Sequence, residues 1–138
     1  MAYRNMGQYD SAIAYFQIAY DSAKQQKQDI WLGISEGNIG ICYFYKHDYA
    51  RAEPLLIKDI ESSIATTNLR NAVNSMAVLA TIYCTQGKYN EAEKQLLRAL
   101  SFSYSKSFWH DYTLSRKVYE QLYIVYGKRT STGFRICT

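Results

Sequence analysis

The sequence predicts an all-α fold, a solenoid of antiparallel helix pairs, and three observations carry that expectation. The first is an internal repeat. Met6-Gly7-Gln8-Tyr9-Asp10-Ser11-Ala12 returns as Lys46-His47-Asp48-Tyr49-Ala50-Arg51-Ala52, and again as Gln86-Gly87-Lys88-Tyr89-Asn90-Glu91-Ala92. Tyr9, Tyr49 and Tyr89 stand forty residues apart, as do Ala12, Ala52 and Ala92, and as do Tyr3, Tyr43 and Tyr83. Four residues beyond each alanine comes a large apolar residue, Phe16, Leu56 or Leu96, and the register persists at Tyr123 and Gly127. Self-similarity at this period marks stacked units, each burying its apolar face on the next. The second observation is that apolar residues inside each unit follow helical spacing. The third is compositional: one proline and seven glycines in 138 residues leave few of the tight turns that an all-β chain needs.

The elements follow in order. A stub helix ends near Met6, and a helix follows over 10–26. The next spans 29–45, where Ile30, Trp31, Ile34, Ile39, Ile41, Tyr43 and Phe44 carry the apolar pattern. Gly37 and Gly40 interrupt it at a cost of about 1 kcal/mol each relative to alanine, which makes sense where another helix approaches closely. The helix over 49–66 shows an amphipathic stripe of Ala52, Leu55, Leu56, Ile60 and Ile64. Asp48 caps its free amides, with Asp10 and Asn90 near the starts of its counterparts. Pro54 falls in its first turns, where a missing amide proton costs least. Helices over 69–86, 89–106 and 113–127 complete the array, and Asp29 and Asn68 cap the helices that open each pair.

Residues 1–127 form the repeat domain, with three repeat junctions. It starts mid-repeat, because Tyr3 corresponds to the last turns of an opening helix. After Gly127 the register calls for an aromatic, an alanine and an apolar stripe, but 128–138 has no helical period and is expected to be an irregular or disordered tail. Val118, Tyr119, Leu122, Val125 and Tyr126 of the last helix therefore cannot all find cover within the chain. Uncovered apolar surface of this kind favours self-association, a homodimer through the terminal helices.

Charge and cysteine content narrow the function. The formal net charge is +4, but Lys128, Arg129 and Arg135 lie in the tail, which leaves 13 basic against 12 acidic residues elsewhere. A phosphate-tracking surface needs clustered cations. Here signs alternate along the helices, as in Glu91, Glu93, Lys94 and Arg98, so nucleic acid is not an expected partner. Cys42, Cys84 and Cys137 have no metal-type spacing, and the first two fall in apolar helical stretches as small core residues. With no signal peptide and no apolar run of membrane-spanning length, the expected compartment is the cytoplasm, with no membrane partner.

The joint pattern resembles the tetratricopeptide repeat. Asn38-Ile39-Gly40-Ile41-Cys42-Tyr43, followed by Tyr49, Ala52, Leu56 and Ile60, carries the resemblance in one unit. Leu79-Ala80-Thr81-Ile82-Tyr83, then Gly87, Tyr89, Ala92, Leu96, Ala99 and Leu100, carries it in the next. Small residues stand at helix crossings and large ones fill the gaps. Two departures are a unit longer than the usual 34 residues or so and the lack of the proline that often closes it. The long units and the run Ala52-Glu53-Pro54-Leu55 are similar to the extended repeats of kinesin light chains and of bacterial peptide-responsive regulators.

The resemblance implies a right-handed superhelix whose opening helices line a concave groove. The residues placed on that face are Ile34, Asn38, Ile41, Phe44 and Tyr45, then Asn74, Val78, Thr81 and Thr85, then Leu114, Lys117, Gln121 and Ile124. One subgroup of the family grips a terminal carboxylate with lysines, an arginine and asparagines, and only Asn38 matches that set. A mixed apolar and amide lining suits a helix or a mixed peptide instead. Trp31, Phe44, Tyr45, Phe108 and Trp109 do not recur with the repeat, which makes them the aromatic candidates for recognition or for helix packing.

No catalytic constellation is legible. His47 replaces the glycine of the other turns and reads as a surface turn residue. His110 adjoins Asp111, but neighbours in sequence do not ordinarily face each other. Glycine-rich phosphate loops, G-x-S-x-G and His/Cys metal spacings are missing from the sequence. The expectation is a non-enzymatic protein-protein interaction module, part of a larger regulatory or scaffold protein, with protein or peptide partners and no cofactor. The alternative is a peptide-sensing domain controlling an attached signalling or DNA-binding output.

Overall fold

The computed structural model describes residues 6–103 and 120–127, and within them only four short turns interrupt the helices. The helices are α1 (Met6–Gln25), α2 (Asp29–Tyr45), α3 (Tyr49–Ala65), α4 (Leu69–Thr85) and α5 (Tyr89–Ser103). A helical segment covers 120–127, the described part of the helix expected over 113–127. The stub before Met6 and the tail over 128–138 lie outside the described residues. Each helix packs on the next, and α2 also touches α4 one repeat on.

The sequence repeats every forty residues, but the backbone repeats every twenty. Helices α2, α3 and α4 each have 17 residues, and a left-handed residue recurs at Lys27, His47, Thr67 and Gly87. The turn after α2 shows the device. The His47 amide donates to the Phe44 carbonyl at 3.0 Å and the Asp48 amide to the Tyr43 carbonyl at 2.9 Å, which closes the helix end. The Asp48 carbonyl then accepts from the Ala52 amide, opening α3. One residue ends one helix and begins the next, so each turn needs only three residues.

Several local expectations change. Helix α1 is already helical at Met6, the first described residue, so no turn separates it from the expected start at 10. The left-handed turn at His47 and Gly87 is held by amides that bond back into a preceding helix. At the matching place Gly7 has no left-handed φ, and the chain stays helical from Met6 onward. Asp10 therefore lies inside α1, where its carboxylate pairs with Lys46 at the end of α2. Asp29 is the first helical residue rather than a cap, and Gln28 and Asn68 occupy the cap positions without side-chain bonds. Asp48 does cap α3, accepting from the Arg51 amide at 3.3 Å. Asn90 is the second residue of α5. Pro54 lies two residues beyond the first amide bonded within α3, so its missing proton does remove a helical hydrogen bond.

The glycines of α2 explain its contact with α3. A Cβ at Gly33 would lie 3.2 Å from Ser62 Cβ, and one at Gly40 would lie 3.1 Å from Leu56 Cγ. The glycine face of α2 thus lets the backbones approach, and the contact order from Gly33 to Gly40 runs against that of Ser62 to Leu56, an antiparallel pair. The core joins Ala52, Leu56 and Ile60 of α3 to Val73, Met76, Leu79 and Ile82 of α4, Ala92, Leu96 and Ala99 of α5, and Leu122 and Val125. Cys42 and Cys84 are buried, as expected for small core residues. In the last segment Leu122 and Val125 find cover after all, because they face the core, whereas Tyr123, Ile124 and Tyr126 stay exposed.

Candidate functional site

The expected binding face is carried by α2, α4 and the segment 120–127, the helices that open successive pairs. Ile34, Asn38, Ile41 and Phe44 are half-buried along α2. Asn74 and Thr81 are half-buried on α4, Thr85 is exposed, and Gln121 is half-buried beside them. Val78 departs from the expected lining: it is buried in the core and floors the face rather than presenting to solvent. Leu114 and Lys117 lie outside the described residues, as do Phe108, Trp109, His110 and Cys137. The Thr81 hydroxyl donates to the Ala77 carbonyl at 3.0 Å and lies 3.3 Å from Gln121 Oε1, its neighbour forty residues on. The Thr85 hydroxyl donates to the Thr81 carbonyl.

One end of the face is aromatic. Tyr45 is 47% exposed and stacks on Tyr9 of α1, with ring centres 5.4 Å apart and planes within 9°. Phe44 meets Tyr45 edge-on at 5.2 Å and Tyr49 at 5.9 Å. Its apolar body is shared between core and face. His47 Nδ1 sits 3.1 Å from the Tyr49 hydroxyl, which ties the turn histidine to a repeat tyrosine. Trp31 is 58% exposed at the start of α2, away from this cluster, and Ile30 beside it is exposed too, so neither extends the core stripe.

A polar cluster that the sequence does not announce lies beneath the face. Asp59 of α3 is fully buried. Its carboxylate accepts from Ser63 at 3.2 Å on its own helix, from Asn71 Nδ2 at 2.7 Å on α4, and from the Ser75 hydroxyl, also on α4. Asn71 donates to the Ser63 hydroxyl as well, at 2.7 Å. Burial pushes the Asp59 carboxyl above its ordinary value. The bonds from Ser75, Asn71 and Ser63 pull it down, and nearby Glu36 adds to the rise. Glu36, buried on α2, accepts from exposed Lys58 at 3.2 Å, and that bond raises the Lys58 ammonium. In sequence, Lys58-Asp59-Ile60-Glu61 reads as ordinary solvated charge. The signal that could have found Asp59 is a double break in the register: Gly37 and Asp59 stand where Ala77 and Ala99 stand one repeat later.

Burial alone raises the Cys42 thiol, which makes it a poor nucleophile. Among the described residues no three His, Cys, Asp or Glu side chains gather to hold a metal ion. No described helix is long and apolar enough to cross a membrane.

Comparison with known proteins fits this geometry. Descriptions of the tetratricopeptide repeat match residues 1–61 and 73–103. Response regulator aspartate phosphatase J of Bacillus subtilis (strain 168) is 26% identical over 121 residues, covering 86% of this chain and 31% of its own. The chain thus spans about a third of the length of that curated relative. No solved structure matches. Matches over 92 of 138 residues, falling on helices that recur every forty, place this chain in the tetratricopeptide-repeat family, whose helical arrays are protein-interaction modules.

Proposed function

We propose that the chain is a non-enzymatic interaction module that takes a peptide segment of a partner protein along the face of α2, α4 and 120–127, within a larger regulatory or scaffold protein. The observation that carries this is the closer approach of α2 to α4 than of α3 to α5. A stack whose opening helices are nearer together bends toward them, so their exposed side is the inner one. Ile34, Ile41 and Tyr45 offer apolar contact there, and Asn38, Asn74, Thr81 and Gln121 offer amide and hydroxyl groups. That mixture suits a peptide that pairs side-chain anchors with backbone hydrogen bonds. Lys46 is engaged by Asp10, so the aromatic end of the face does not favour a bare terminal carboxylate. The non-enzymatic reading is supported by where the polar groups are used: His47 ties to Tyr49, and Asp59 to three neutral donors.

A second reading rests on the relative's name. A protein named as a response regulator aspartate phosphatase belongs to signalling, which favours a module that senses a peptide and controls an attached output. Affinity capture with the full-length protein, followed by calorimetry of the purified partner against wild type and Asn38→Ala, tests the first reading: unchanged affinity for Asn38→Ala removes it. The output of the full-length protein, measured with and without the captured peptide, decides the second: an output that ignores the peptide removes it.

A further inference from the structure

We propose, on the reading that the α2 and α4 side is the binding face, that Asp59 is its positioning residue: one buried carboxylate on which both opening helices rest and which sets their spacing. Two observations converge. On the α4 side, Asn71 and Ser75 both donate to the Asp59 carboxylate. On the α2 side, the backbone at Gly37 lies on the same group, and a Cβ there would come within 2.6 Å of Asp59 Cγ. Helix α2 is therefore seated by steric contact and α4 by hydrogen bonds, on one side chain of α3.

The neighbouring repeat carries no carboxylate at this place. Ala77 and Ala99 fill the equivalent positions, and Ala99 is fully buried. An alanine side chain has no group that could hydrogen-bond there, whereas an uncompensated carboxylate in the interior is costly. Hydrogen bonds are selective in distance and angle in a way that apolar contact is not. The α2–α4 spacing is thus held by geometry as well as by packing. The charged groups around the site are Glu36 from α2 and Lys58 from α3, which pair with each other, while the donors from α4 are neutral.

The test needs no peptide, so its failure leaves the binding reading standing. Spin labels at Ile30→Cys and Arg70→Cys, register mates on α2 and α4, report the spacing by pulsed electron resonance in wild type and variants. Asp59→Asn is expected to keep the native distance distribution, because an amide can serve the same partners. Gly37→Ala with Asp59→Ala copies the Ala77 and Ala99 packing. It is expected to keep native helicity while the distance shifts or broadens by about 1–2 Å, the scale of helix repacking at interfaces. A native distribution in that double variant overturns the proposal. Should the double variant fail to fold, Asn71→Ala removes one α4 bond from a half-buried position. The same shift is expected there, and an unchanged distribution again overturns the proposal.

Discussion

The backbone of Gly37 sits against the carboxylate of Asp59 so closely that even a methyl group at Gly37 would come within 2.6 Å of Asp59 Cγ. Three donors hold that carboxylate, so it cannot swing aside. Gly37→Ala is expected to lower stability by about 1–2 kcal/mol, as overpacking outweighs the gain in helix propensity. Combining it with Asp59→Ala should recover much of the loss. Urea unfolding of the two single variants and the double variant gives the coupling directly, and additive effects would mean that the contact carries no strain.

The left-handed turns give a second expectation. Thr67 adopts φ 59°, a conformation that a β-branched side chain rarely takes, while Gly87 adopts φ 76° at the matching place. Thr67→Gly should raise stability by about 0.5–1 kcal/mol and Gly87→Ala should lower it by about 1 kcal/mol. Thermal unfolding of both variants checks the two signs together.

Protonation of Asp59 gives a third. Burial raises its carboxyl above the ordinary value of 3.8, so the folded chain holds this proton more tightly than the unfolded chain does. The Asp59 contribution to stability is then most favourable in acid. It falls as pH rises from the unfolded value through the folded one, and is flat above that. Relative to Asp59→Asn, which cannot titrate, the wild type should lose stability as pH rises from about 4. Denaturation midpoints of both proteins across pH 4–8 would show parallel curves if Asp59 were not raised.

Tyr45 is the aromatic anchor to test. Because it is half exposed and stacked on Tyr9, Tyr45→Ala should cost only about 0.5–1.5 kcal/mol of stability. Helicity should be unchanged, while affinity for a captured partner falls. Collapse of the circular dichroism signal would instead make Tyr45 a core residue.

Exposed Tyr123, at 81%, with Ile124 and Tyr126 on one terminal segment, motivates a last expectation. Sedimentation over a hundredfold concentration range should show a two-fold dimer forming, weakened by Tyr123→Ser. A strict monomer throughout would exclude association through that segment.

The helical frame was legible because packing writes itself into sequence at a fixed interval. The bounds of α2 match the expected 29–45, and α3 and α4 end one residue early. Gly37 and Gly40 announced a close helix approach. What escaped were effects that need a partner from elsewhere in the chain. Asp10 looked like a cap until Lys46 came alongside it. Nothing in the surrounding sequence sets Asp59 apart, because its donors lie 12 and 16 residues downstream on another helix. Val78 falls on the face that the resemblance implies, yet its surroundings bury it.

The three-residue turn that both ends one helix and begins the next has a consequence for how such a chain can change in length. An insertion inside a helix rotates everything after it by about 100° per residue, turning buried stripes toward water. A change at a turn breaks the pair of amide bonds that closes the helix before it. Growth and shrinkage are therefore quantised: a duplication or deletion is tolerated only as a whole helix and turn, and keeps inner and outer layers in place only as two of them. Loss of 29–68 as a block would rejoin matching turns, yet bring Asn71 and Ser75 against α1, where Ala19 stands in place of Asp59. The backbone is interchangeable from unit to unit, and the buried polar bonds are what make the order of the units matter.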